Sequence, residues 1–93
     1  MERQVGFFAH SDDKILSFRL DILLGREGLD VAHRFIKSMA KQTGRHAIEC
    51  MSLTCKLVTD FGVDAIDMES HMDDPKSLLE QMEHIRLIES SVA

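Results

Sequence analysis

The sequence predicts an all-α protein, a small bundle of four to five helices with a short N-terminal strand or arm in front of it. Three observations carry that prediction. The apolar residues are of the kind that pack helices: six Met and many Leu and Ile, with five Phe and neither Trp nor Tyr. One Pro and five Gly leave few points at which a helix must break. The apolar positions also recur at helical spacing through most of the 93 residues, which is the length of one domain.

Residues 3–9 are short and lean apolar, and fit a brief strand or an apolar arm. Ser11, followed by Asp12 and Asp13, has the form of an N-cap with two acids in the first turn, where the helix dipole favours negative charge. The first helix is expected from about Asp12 to Leu24, with apolar residues on more than one face (Ile15, Leu16, Phe18, Leu20, Ile22, Leu23 and Leu24) and Gly25 as its stop. A second helix is expected from Glu27 or Gly28 to Thr43. Its stripe of Leu29, Ala32, Phe35, Ile36, Met39 and Ala40 fits a period of 3.6 residues.

The third helix is expected from about Arg45 to Phe61. It carries two stripes, Ala47, Ile48, Met51, Cys55 and Val58 on one side and Cys50, Leu53, Leu57 and Phe61 on another. Only Glu49, Ser52, Lys56 and Thr59 form a polar strip, so this helix is expected at the centre of the bundle. Val63, Ile66, Met68 and Met72 can anchor a short helix after it. Asp74 before Pro75 is a strong helix start, and a last helix is expected from Pro75 to about Ser90, with Leu78, Met82, Ile85, Ile88 and Val92 inward and Leu87 off the stripe. The apolar excess on the first and third helices points to a homodimer, the commonest closed assembly.

Charge is distributed unevenly. Residues 60–74 hold six carboxylates (Asp60, Asp64, Asp67, Glu69, Asp73 and Asp74) and no Lys or Arg, in a chain whose formal net charge is −5. Outside that stretch the acids and bases nearly cancel. Opposed to it is a row of cations, Arg34, Lys37, Lys41 and Arg45, whose offsets of three and four keep them on one helix face. The overall negative charge argues against non-specific DNA binding. No apolar run has the length of a membrane span, and the first residues lack the apolar core of a signal peptide, so a cytoplasmic protein is expected.

Catalytic, metal and cofactor chemistry finds little support. Cys50 and Cys55 lie on different sides of one helix, about 7.5 Å apart along its axis, which no disulfide can span without moving backbone. They also miss the usual zinc spacing, and are expected as buried reduced thiols. His46 and Cys50 stand four apart, but two ligands do not make a structural site. The acidic stretch lacks the ligand spacing and central Gly of an EF-hand loop. His10, Ser11, Asp12 and Asp13 resemble the Ala-His-Pro-Asp-Asp-Glu motif of the zinc-dependent N-acetylglucosaminyl deacetylases. That resemblance implies His10 and Asp13 as zinc ligands and Asp12 as base. Ser11 replaces the motif's Pro and Lys14 its Glu, and the alternating strands and helices of that family have no counterpart after residue 25.

A non-enzymatic regulatory or inhibitor-type protein, with no cofactor, is therefore expected. It would bind a partner protein through Asp64, Asp67, Met68, Glu69, Met72, Asp73 and Asp74: the acids by steering a basic surface, and the methionines as adaptable apolar contacts. The alternative is a nucleic-acid-associated regulator gripping phosphates with Arg34, Lys37, Lys41 and Arg45. Helix 3 is too apolar to read bases, which argues against an ordinary helix-turn-helix.

Overall fold

A computed structural model describes the backbone of residues 11–92 and the side chains of residues 14–84. The N-terminal arm, and the side chains of Ser11 to Asp13, Ile85, Leu87, Ile88 and Val92, lie outside the described residues. Four α-helices follow one another: α1 (Ser11–Thr43), α2 (Ala47–Phe61), α3 (Ala65–Ser70) and α4 (Pro75–Val92). Among the described residues there is no strand, and no helix is long and apolar enough to cross a membrane. The expected all-α bundle is what forms.

Helix α1 is two helices meeting at one residue. Gly25 has φ 80 and ψ 169, far from helical values. Only glycine occupies that region without strain, so the chain reverses there. The arms, residues 11–24 and 26–43, come back together: Ser17 Oγ lies 2.9 Å from His33 Nε2, across the turn. Gly28 sits where the arms separate. A Cβ on it would come within 2.7 Å of Leu24 Cβ and 3.6 Å of Ala65 Cβ, so the missing side chain is what allows the close approach.

The second arm of α1 is the hub of the bundle. Its predicted stripe is fully buried at Ala32, Phe35, Ile36 and Met39. Broad contacts of α2, α3 and α4 are all made with α1. This corrects the expectation that the Cys-containing helix would be central. Helix α2 buries Cys50, Met51, Thr54, Cys55 and Leu57, but its other apolar positions, among them Ile48, Leu53 and Val58, are left half-buried or exposed. Its apolar circumference exceeds what its neighbours cover.

Local signals set the remaining boundaries. Gly44, at φ 72, ends α1 and donates its N–H to the Ala40 carbonyl. Helix α2 begins at Ala47, two residues later than expected, with extended His46 as its N-cap, and ends at left-handed Gly62. Helix α4 starts at Pro75, which is buried, and turns Leu78, Leu79 and Met82 into the core.

Candidate interaction surface

The acidic stretch is built as a folded element. Asp64 is the N-cap of α3, and its Oδ1 accepts the Asp67 N–H at 2.9 Å. Asp67 Oδ2 in turn accepts the Asp64 N–H at 3.2 Å, completing a capping box. Val63 and Met68 then occupy the positions just before the cap and four residues into the helix. Apolar residues there staple the first turn, and both are buried. After α3, the second arm of α1 holds the following turn by its main chain. Ser38 Oγ donates to the Met72 carbonyl and Gln42 Nε2 to the Asp73 carbonyl, each at 2.7 Å.

That construction corrects one residue of the predicted surface. Met68 is completely buried, held inward by the phase that the capping box imposes, and belongs to the core. Met72 is half-buried, while Asp64, Asp67, Glu69, Asp73 and Asp74 are exposed. The apolar group that α3 does present is Ile66, which is 75% exposed. An inward residue had been expected there. The spacing Val63-Asp64-x-x-Asp67-Met68 carries the signal that separates the two, since it fixes which side of the short helix faces in.

The charge polarity is partly answered within the chain. Arg34 Nη2 donates to Glu69 Oε1 at 3.2 Å, and the Arg34 Nε lies 3.7 Å from Asp30 Oδ2. Arg45 sits in the connector after α1, with its Nη1 2.8 Å from Glu49 Oε2. All four residues of the basic row are exposed, and Arg34 and Arg45 are engaged with carboxylates of this chain.

A second exposed feature lies on the first arm of α1. Ile15, Phe18 and Ile22 are 61%, 65% and 67% exposed and fall on one helix face. Beside them Ile15, Leu16, Ile48, Glu49 and Ser52 line an open groove of about 540 Å³ between the first arm and α2.

No metal centre is assembled among the described residues: no three His, Cys, Asp or Glu side chains converge in a manner that would hold an ion. His46 is exposed while Cys50, four residues on, is buried. Burial pushes the Cys50 thiol up from its ordinary value, with nearby Glu49 adding to the effect, and burial likewise raises Cys55. Both cysteines are free. The proposed zinc-motif residues His10 to Asp13 fall outside the side chains described. No known protein family, curated protein or solved structure matches this chain.

Proposed function

We propose that the protein is a non-enzymatic binding protein that engages a partner protein through the face of residues 60–74. The observation that carries this reading is Ile66, a large apolar side chain left in water on a short helix whose neighbouring exposed positions are acidic. A partner that fits has an apolar pocket rimmed by Lys or Arg. The pocket takes Ile66, and the rim meets Asp67, Glu69, Asp73 and Asp74, which steer the encounter. The two buried free thiols suit a reducing compartment, in keeping with a cytoplasmic protein. The exposed apolar face of the first arm supports the homodimer expected from the apolar excess.

The test separates binding groups from groups that hold α3. Asp64 and Asp67 cap the helix and Glu69 pairs with Arg34, so reversing them alters folding and binding together. Ile66→Asp and Asp73→Lys avoid those roles. A photo-crosslinking side chain at position 73 in native cells should capture a discrete protein, and Ile66→Asp should abolish the adduct. Capture that is indifferent to Ile66→Asp, or no adduct at all, overturns the reading. The nucleic-acid alternative has less support, because Arg34 and Arg45 already have carboxylate partners.

A further inference from the structure

We infer that the first arm of α1 is the two-fold interface of the homodimer, packing antiparallel against the same arm of a second copy with Phe18 at the axis. This rests on the dimer reading above and assigns its surface. Three side chains of this size at about two-thirds exposure place on the order of 400 Å² of apolar area in water, at the level that marks a contact site on a monomer.

The pattern is self-complementary. In an antiparallel pair of identical helices, each residue meets the one equally far on the other side of the axis. Ile15 and Ile22 have Phe18 between them to within half a residue, about 0.8 Å of rise, so each isoleucine of one copy meets the other isoleucine of the second. Lys14 and Asp21 are also centred on Phe18 to within half a residue. At about 100° per residue both lie on the same flank of the apolar stripe, about 40–60° from Phe18. An antiparallel two-fold places like flanks together, so Lys14 of each copy faces Asp21 of the other, and two ion pairs close one side of the interface. Lys14 is exposed and Asp21 half-buried in the single chain.

The opposite flank has a receptor of its own. The groove beside Ile15, lined also by Leu16 and Ile48, lies at the level that Ile22 of the second copy reaches. Glu49 and Ser52 are its polar lining. Seating Ile22 there extends the contact from the arm onto α2 and covers Ile48, which is otherwise 36% exposed.

Sedimentation equilibrium on the full chain tests the arrangement. The wild type should dimerise. Phe18→Asp, at an exposed position, should keep its helicity by circular dichroism and raise the dimer dissociation constant about tenfold or more. Lys14→Asp and Asp21→Lys should each weaken the dimer, and the double swap should restore it. A dimer that survives Phe18→Asp, or a double swap no better than the single variants, overturns this interface while leaving the dimer itself standing. A wild type that is monomeric at every concentration overturns both. If the wild type is monomeric and deletion of residues 1–10 newly exposes a dye-binding apolar surface, the occupant of the face is the chain's own N-terminal segment. Ile66→Asp should leave the dimer unchanged, so the partner surface and the two-fold surface stand or fall separately.

Discussion

Ser17 and His33 each lie eight residues from Gly25, and the 2.9 Å contact between Ser17 Oγ and His33 Nε2 clasps the two arms of α1 at matched distances from their turn. The contact is part-buried and joins residues sixteen apart in the sequence.

The clasp makes the fold sensitive to acid. Burial lowers the His33 pKa from its ordinary 6.5, with Asp30 opposing the shift and Lys37 adding to it. The unfolded chain therefore binds a proton at a pH where the folded chain does not. Stability should hold above about pH 6.5 and fall as the pH drops from there toward the lowered folded value. Urea denaturation at a series of pH values checks this, with His33→Gln as the control that should flatten the slope. Ser17→Ala should cost about 0.5–1.5 kcal/mol at neutral pH.

The cysteines predict the opposite slope in alkali. Both thiols are raised from an ordinary value of 9.0, so the unfolded chain releases protons first, and stability should fall as the pH climbs through and beyond that value. At neutral pH the native protein should react with a thiol reagent about tenfold or more slowly than the urea-unfolded chain, in which both thiols should react. Fast native labelling at either position would contradict the buried arrangement.

Gly25→Ala should be costly although nothing lies within 4 Å of the position. The cost is conformational: a Cβ at φ 80 and ψ 169 forces about 1–3 kcal/mol of backbone strain. Gly28→Ala should also destabilise, by collision with Leu24. Thermal melts of the two variants, together with the Ser17–His33 pH slope, separate the causes. Strain at Gly25 should disturb the clasp, and the collision at Gly28 should disturb the packing against α3.

Within α3, two neighbouring apolar residues should behave in opposite ways. Met68→Ala removes a fully buried side chain and should cost about 2–5 kcal/mol. Ile66→Ala, at an exposed position, should change stability by no more than about 0.5 kcal/mol. Chemical denaturation of both variants gives the comparison directly, and equal losses would place Ile66 in the core.

The helical character, the helix break at Gly25 and the inward stripe of the second arm were legible because each is set within a few residues of chain. Periodicity identifies the buried face of a helix but not how many neighbours share it. That is why α2, the more apolar helix, reads as central while the second arm of α1 occupies the hub. The Arg34–Glu69 pair joins residues 35 apart and depends on how α3 docks. The burial of Met68 was encoded locally, in the spacing of Asp64 and Asp67, yet the density of charge around it conceals the signal.

The shared wall formed by the second arm also governs how perturbations combine. Helices α2 and α4 line a common cleft, Leu57 and Phe61 on one side and Leu78 and Met82 on the other, yet each makes its broad contacts with α1. Substitutions confined to the outer parts of α2 and of α4, away from that cleft, should therefore have additive energies. Changes at Phe35 or Ile36 should break that independence and couple the effects of all the others.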